Sequence, residues 1–138
     1  MPAKDIYHDT VKKALIKDGW RITAENLQLP WGGTQTYIDI AANKIFVAEK
    51  DNRKIAVEVK SFVGKSTLTE FEKAVGQFIV YRFAMRKKEP ERELFLAVEL
   101  KVYNEFFVNP DVIELIEDED LKIIVFDEFK EAIVRWIN

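Results

Sequence analysis

Three charged residues in two short apolar segments could together form a metal site. Asp39 lies in the segment 37–40, and Glu58 and Lys60 lie in the segment 55–60. Both segments are rich in Ile, Val and Tyr, which favours β-strands. Because side chains alternate between the faces of a strand, Glu58 and Lys60 point the same way, about 7 Å apart. If the strand of Asp39 pairs with that of Glu58 as a hairpin, two carboxylates and an ammonium group converge, which suits Mg²⁺ and a proton-handling neighbour.

Each of these charged residues also has a simpler interpretation. Asp39 can lie at a strand end, and Glu58 with Lys60 can form the solvent-exposed face of an edge strand, since such alternation is common in antiparallel sheets. A charged side chain inside an apolar strand is nevertheless costly without a partner. The otherwise apolar surroundings of Glu58, and the long helix expected to follow, favour a functional site.

That helix contributes two more polar residues. Gln77 and Tyr81 are four residues apart, so they lie on one face of the helix predicted over 68–88. The alternative interpretation is a polar edge on a packed helix, with Tyr81 half-buried and Gln77 in solvent. The residues Phe71, Val75, Phe78, Ile79 and Phe83 form the apolar stripe that we expect to face the core.

Composition restricts the class of protein. The 138 residues, 48% of them hydrophobic, suit one domain with one substantial core. The absence of cysteine excludes disulfides, thiolate catalysis and cysteine-based zinc sites. We find no signal peptide or membrane span and expect a soluble, cytoplasmic protein. The net charge of −3 argues against a general nucleic-acid coat protein, but a local basic patch could still contact DNA.

The order of predicted elements indicates an α/β domain with a mixed central sheet flanked by helices. We predict helices where apolar residues recur at helical spacing and strands in short β-branched runs. The predicted helices are 3–18, 68–88, 102–107, 110–117 and 128–136. The predicted strands are 20–24, the segment of Asp39, 45–48, 55–60, 93–100 and 121–126. The predicted loops and turns are 26–36, 51–52 and 61–69, and Gly19 caps the first helix.

The motif residues in this order resemble a known superfamily. Asp39, then Glu58-Val59-Lys60, then Gln77-x-x-x-Tyr81 are similar to the PD-(D/E)XK nucleases with their QxxxY helix motif. Nearly the whole chain also resembles the XisH family, the excision controlling factors of the fdxN element. The segments that carry this second resemblance are 5–9, 18–23, 48–50, 55–62, 76–77 and 125–127.

The two resemblances imply a fold and a role. The superfamily implies a restriction-endonuclease-like core over residues 1–138. The family implies programmed site-specific DNA excision during heterocyst differentiation, with DNA, a separate recombinase and other accessory factors as partners. The chain would then be either a metal-dependent DNA endonuclease or a catalytically inactive module on the same fold that binds DNA or protein and controls the recombinase.

The superfamily resemblance also implies roles for the motif residues. Asp39, Glu58 and the carbonyl group of Val59 would bind Mg²⁺ or Mn²⁺. Lys60 would orient or deprotonate the attacking water, or stabilise the phosphorane. Gln77 and Tyr81 would position Lys60 or a DNA phosphate.

Two further expectations concern the first helix and the surface. His8, the single histidine, shares a helix side with Asp5 and could assist the site, although we favour a structural role in capping or packing. A homodimer could form through aromatic residues expected at the surface, namely Trp31, Phe106, Phe107 and Trp136. DNA could contact the basic residues Arg82, Arg86, Lys87, Lys88 and Arg92, for which a solvated helix end is an equal alternative.

Overall fold

A computed structural model describes residues 6–25, 28–30, 37–39, 45–63 and 66–138, and only the backbone of 28–30, 37–39 and 45–46. The described helices are α1 (His8–Lys17), α2 (Thr67–Lys88), α3 (Leu100–Val102), a π-helical turn (Tyr103–Phe107) and α4 (Pro110–Asp118). The described strands are β1 (Arg21–Ala24), β2 (Gln28–Pro30), β3 (Tyr37–Asp39), β4 (Ile45–Lys50), β5 (Arg53–Val59), β6 (Arg92–Glu99), β7 (Ile123–Asp127) and β8 (Ala132–Ile137). No helix in this part of the chain is long and apolar enough to cross a membrane.

Six of the described strands form one mixed sheet in the order β1-β4-β5-β6-β7-β8. The three central strands β5, β6 and β7 run parallel, whereas β1, β4 and β8 pair antiparallel to their neighbours. The parallel connection from β5 to β6 requires a crossover, which α2 provides. The predicted α/β architecture with a mixed sheet is therefore confirmed.

The turn between β4 and β5 sets the register of the strand that carries Glu58. Asp51 and Asn52 both have positive φ angles, 49° and 67°, as a two-residue type I′ hairpin requires. Lys50 pairs with Arg53 across this turn, and the register continues to the pair of Ile45 with Glu58. The prediction of a turn at 51–52 is confirmed, and the segment from residue 45 forms a strand of its own.

The strand of Asp39 does not form the hairpin with β5 that would have brought Asp39 beside Glu58 and Lys60. Instead β3 pairs with β2 in a separate two-stranded sheet, with Asp39 opposite Gln28. The segment 26–36, predicted as a loop, thus contains a short strand. Its Pro30 can end β2 because a two-stranded sheet leaves edge positions at which no backbone N–H is needed.

Two apolar cores lie on the two faces of the sheet. The α1-side core joins Val11 and Leu15 of α1 to Val57 and Val59 of β5. The α2-side core joins the inner face of α2 to Ala56 of β5 and to side chains of β6 and β7. Successive residues of β5 alternate between the two cores, as the strand period requires.

The buried face of α2 differs from the predicted stripe. Its buried residues are Phe71, Ala74, Phe78, Tyr81, Ala84 and Met85. Ile79 and Phe83 are instead 39% and 49% exposed. The buried face thus combines large side chains with Ala74 and Ala84, and the Ile79 side of the helix faces outward.

The last predicted helix, over 128–136, is wrong. The chain forms β8 there, antiparallel to β7. The carboxylate of Asp127 accepts backbone N–H groups two and three residues further on, at 2.8 and 3.1 Å, and Glu131 has a φ of 50°, so the chain reverses direction. β-Branched residues then favour a strand, and Trp136 packs on Trp20 and Phe95 of the α1-side core.

The π-helical turn brings consecutive aromatic side chains onto one apolar cluster. Phe106 and Phe107 both contact Phe71 of α2, with ring centroids 5.3 and 5.5 Å apart. Phe107 is 1% exposed, so its predicted surface position is wrong, and Phe106 and Trp136 are half-buried. Trp31 lies outside the described residues. Phe106, Phe107 and Trp136 therefore pack into or against the core and form no exposed patch.

Gly19 and Gly76 give a matched test of backbone conformation. Gly19 ends α1 with a φ of 93°, and the N–H groups of Gly19 and Trp20 donate to Ile16 and Leu15 in a Schellman arrangement. We expect Gly19→Ala to lower the free energy of unfolding by about 1 kcal/mol, because an alanine is strained in this conformation. Gly76→Ala should raise it by about 0.5–1 kcal/mol, since Gly76 is helical and an added Cβ meets nothing within 4 Å.

Urea denaturation of the two variants in dilute solution measures both changes. Equal destabilisation by the two substitutions would contradict the assigned conformations.

Candidate functional site

Glu58 is held at the carboxyl end of a central strand with strands on both sides. Its backbone pairs with Ile45 of β4 and with Leu96 of β6. Further along the same strand pair, the backbone N–H of Lys60 donates a hydrogen bond to the carbonyl oxygen of Ala97 at 3.2 Å. Both residues of the Glu-x-Lys pattern are thus fixed by backbone hydrogen bonds that do not depend on their side chains.

The side chain of Glu58 is buried on the face of the sheet that α2 covers. Val57 and Val59 lie in the α1-side core, so Glu58 shares the opposite face with Ala56. Glu58 is 1% exposed, and its Oε1 atom has no hydrogen-bond partner among the described residues. The edge-strand interpretation is therefore wrong. A buried carboxylate oxygen without a donor must be protonated or must receive a cation or another group.

Burial changes the acidity of this carboxyl group. Dehydration raises the pKa of Glu58 to about 8, and the nearby charge of Lys60 opposes this rise only in part. Without another cation, Glu58 is mostly protonated at neutral pH. A divalent ion that binds the carboxylate would therefore displace a proton.

Gln77 and Tyr81 lie on the helix that covers Glu58. Tyr81 is 7% exposed and belongs to the α2-side core, whereas Gln77 is half-buried. Because α2 begins just after the carboxyl end of β5 and returns to the start of β6, Gln77 lies one turn nearer than Tyr81 to that end. The helix thus places both motif residues on the sheet face of Glu58 and Lys60.

For Asp39, only the position of the backbone relative to this region is described. Its strand β3 pairs with β2, and Cα atoms of β2 lie within 8 Å of those of α2. The side chain of Asp39 lies outside the described residues, as do residues 40–44. Val59 turns its side chain into the α1-side core, so only its carbonyl group could serve as a ligand.

The described residues do not by themselves form a metal site. They include no group of three His, Cys, Asp or Glu side chains arranged to hold an ion. Glu58 nevertheless fits a hard cation, because it is a buried carboxylate whose Oε1 atom lacks a donor. Asp39 and the carbonyl group of Val59 would have to complete the ligand set.

His8 belongs to a separate polar cluster that sequence reasoning missed. Its Nε2 atom lies 3.3 Å from Oε1 of Glu25, and Nζ of Lys12 donates to Oε2 of Glu25 at 2.9 Å. The hydrogen bond from Lys12 holds the pKa of Glu25 below its usual value, and His8 adds a smaller effect. This contact links the start of α1 to the end of β1, and the structural role favoured for His8 stays a prediction. Asp5 lies outside the described residues.

Glu25 could have been noticed from the sequence. It directly follows β1, whose Ala24 pairs with Val47, and Val47 pairs with Ala56 of β5. Glu25 therefore lies at the same end of the sheet as Glu58, with β4 between their strands. The signal was an acidic residue immediately after a predicted strand.

Two of the five candidate DNA contacts, Arg82 and Arg92, form hydrogen bonds with other parts of the chain. Arg82 donates to the carbonyl oxygens of Glu119 and Asp120, both at 2.9 Å. Arg92 contacts both carboxylate oxygens of Glu89 and donates to the carbonyl oxygen of Ile55 at 3.0 Å. The exposed Arg86, Lys87 and Lys88 lie in the last turn of α2, far from the carboxyl end of β5.

Comparison with known proteins identifies the family. The XisH protein family model matches residues 1–134. The chain belongs to the XisH family. No curated protein matches it.

Two solved structures of XisH relatives closely resemble this chain. One is an XisH family protein from Nostoc punctiforme PCC 73102, with 44% identity over 97% of this chain and 100% of that chain, at a TM-score of 0.88. The other is an fdxN element excision controlling factor protein from Anabaena variabilis, with 45% identity over 98% and 100% of the two chains, also at 0.88. These similarities show that the XisH architecture extends over nearly the whole chain.

The buried carboxyl group predicts a specific pH dependence of stability. Between its unfolded pKa of 4.5 and its folded pKa of about 8, Glu58 holds a proton only in the folded state. The free energy of unfolding should therefore fall as pH rises through this window, by up to about 1.4 kcal/mol per pH unit from this group. Denaturation at several pH values with a chelator present measures this slope.

Glu58→Gln is the control for this slope, because glutamine keeps the shape of the side chain and does not titrate. The stability of the variant relative to the unsubstituted chain should increase with pH through the same window. A difference that stays constant with pH would show that the Glu58 carboxyl is hydrated in the folded protein.

Proposed function

We propose that this protein takes part in programmed site-specific DNA excision as an accessory factor with a metal-dependent endonuclease site. The observation that carries the proposal is the buried carboxylate of Glu58, with an oxygen lacking a donor, two residues before Lys60 at the end of a central strand. The described residues offer that oxygen no hydrogen-bond donor, and a cation-binding role would account for a buried acid at this position. Family membership supports the excision role, because the Anabaena variabilis relative is named as an fdxN element excision controlling factor.

The order of elements also supports a nuclease-like site. The Glu-x-Lys strand β5 is followed directly by α2 with Gln77 and Tyr81, and α2 covers the face on which Glu58 and Lys60 lie. This arrangement is similar to that of the PD-(D/E)XK nucleases with a QxxxY motif. The backbone of Asp39 lies in a hairpin whose first strand approaches α2.

In this proposal each residue has a defined task. Glu58, Asp39 and the carbonyl group of Val59 would hold Mg²⁺ or Mn²⁺. The bound ion would supply a water of lowered pKa and positive charge against a phosphodiester. Lys60 would keep an ammonium group beside the reacting phosphate, where it orients water and offsets developing negative charge. Gln77 and Tyr81 would limit the positions that Lys60 can take.

A second candidate is a catalytically inactive module that binds DNA or protein and controls a separate recombinase. The net charge of −3 favours it, since unaided binding to DNA is weak without a basic face. The raised pKa of Glu58 favours it as well, because a protonated carboxyl group is a poor ligand until a cation displaces the proton. In both candidates the partners are DNA, a recombinase and other accessory factors in the cytoplasm.

Metal binding tests the site apart from cleavage. We expect saturable Mn²⁺ binding that strengthens by up to about tenfold per pH unit below the folded pKa of Glu58, because each ion displaces a proton. Glu58→Gln and Asp39→Asn should each abolish this binding, whereas Glu25→Gln, in the separate polar cluster, should leave it intact. Calorimetric titration at three pH values measures the effect. Equal binding by all four proteins would contradict the proposed ligands.

A cleavage assay separates the two candidate functions. Duplex, branched, nicked and single-stranded DNA should be tested with Mg²⁺ and with Mn²⁺, both with the protein alone and with its presumed partners. We expect cleavage that Lys60→Ala reduces by about a hundredfold or more, because charge stabilisation at the phosphate is lost. Metal binding without cleavage of any substrate would exclude the endonuclease and leave the inactive module.

A further inference from the structure

The outer face of α2 carries large apolar side chains at positions where a helix on a sheet usually presents polar ones. Ile79 is 39% exposed and Phe83 is 49% exposed, four residues apart on one side of the helix. Glu72, before them, and Lys87, after them, are exposed on the same side. Nζ of Lys87 lies 5.0 Å from the ring centroid of Phe83. The outer face thus has an apolar centre with an acidic and a basic end.

Gly76 lies in the middle of this outer face. It is exposed, and a Cβ atom added to it would meet nothing within 4 Å. Packing among the described residues therefore does not require glycine there, although glycine is a poor helix former. An outward-facing glycine leaves a gap between the side chains one turn on either side. Such a gap admits a large side chain from another molecule.

We propose that the outer face of α2 binds the same face of a second copy of this chain, with the two helices antiparallel. Along the helix, the midpoint between Ile79 and Val80 is as far from Gly76 as from Phe83. It is likewise as far from Glu72 as from Lys87. A two-fold axis at that midpoint therefore places Phe83 of each copy in the Gly76 gap of the other. The same axis pairs each Glu72 with Lys87 of the other copy and brings the two Ile79 side chains together.

The spacing of these residues suits a helix pair. Positions 72, 76, 79 and 83 are separated by four, three and four residues, which is the spacing of a coiled-coil seam. A two-fold interface is self-complementary, so the Phe83–Gly76 and Glu72–Lys87 contacts each occur twice. This match of shape and charge is the reason for proposing a second copy of the chain as the molecule that binds the outer face of α2. DNA fits less well, because Glu72 would repel phosphates. This interface does not depend on the proposed function.

Charge reversal tests the pairing of Glu72 with Lys87. Sedimentation velocity over a range of concentrations should show a reversible dimer of the unsubstituted chain. Glu72→Lys and Lys87→Glu should each raise the dimer dissociation constant about tenfold, since each places like charges together twice. The double variant exchanges the charges and should return the constant to within about threefold of the original. Circular dichroism melting confirms that each variant is folded.

Two results would overturn the proposed interface. One is a monomer at every concentration up to the solubility limit. The other is a dimer whose dissociation constant is unchanged by both single substitutions or is not recovered in the double variant, because that dimer would use another surface.

Cysteine cross-linking tests the position of the axis. The chain has no cysteine, so a single introduced thiol can pair only with the same residue of a second copy. We expect Ile79→Cys to form a disulfide-linked dimer rapidly under mild oxidation, because the two side chains meet at the axis. Ile113→Cys on α4, at a position 41% exposed, is the matched control and should cross-link much more slowly. Equal rates for the two variants would place the axis elsewhere.

Discussion

The burial of one carboxyl group is the constraint to which the rest of this structure must conform. Glu58 lies between two paired strands and beneath α2, and its Oε1 atom has no described donor. A fold built for stability alone would place a leucine or methionine there. Keeping an acid requires strong apolar packing around it, which the two cores on either face of β5 provide. Stability and the candidate chemistry therefore oppose each other at this residue.

Helix α2 connects the site to the remainder of the molecule. Its inner face covers Glu58 and carries Tyr81, while its outer face presents Ile79 and Phe83. The inner face combines large side chains with Ala74 and Ala84, while bulky Ile79 and Phe83 lie on the opposite side. One choice of helix orientation thus determines both the environment of the carboxyl group and the character of the exposed surface.

Local signals were sufficient to predict much of the fold but little of its pairing. The turn at Asp51 and Asn52, the cap at Gly19 and the limits of α2 depend on neighbouring residues, and the structure agrees with them. The pairing of β3 with β2 depends on distant contacts that periodicity does not report. The helix predicted at 128–136 failed because the β-branched residues of that segment, the pairing with β7 and the packing of Trp136 all favour a strand. At the site, the alternation of side chains along a strand was sufficient to predict that Glu58 and Lys60 share a face. The burial of Glu58 could not be predicted, because it depends on the distant helix and strands that cover it.

The two-residue turn between β4 and β5 also bears on the order of folding. The β4–β5 hairpin joins residues close in sequence and can form early, whereas the parallel pairing of β5 with β6 must await the closure of a loop that contains α2. In an isolated β4–β5 hairpin Glu58 would be open to water, and its carboxyl group would be hydrated and ionised at neutral pH. Docking of α2 would remove that water, so the acid would take up its proton when the helix docks. The buried environment of Glu58 thus depends on α2, and it is lost when α2 separates from the sheet.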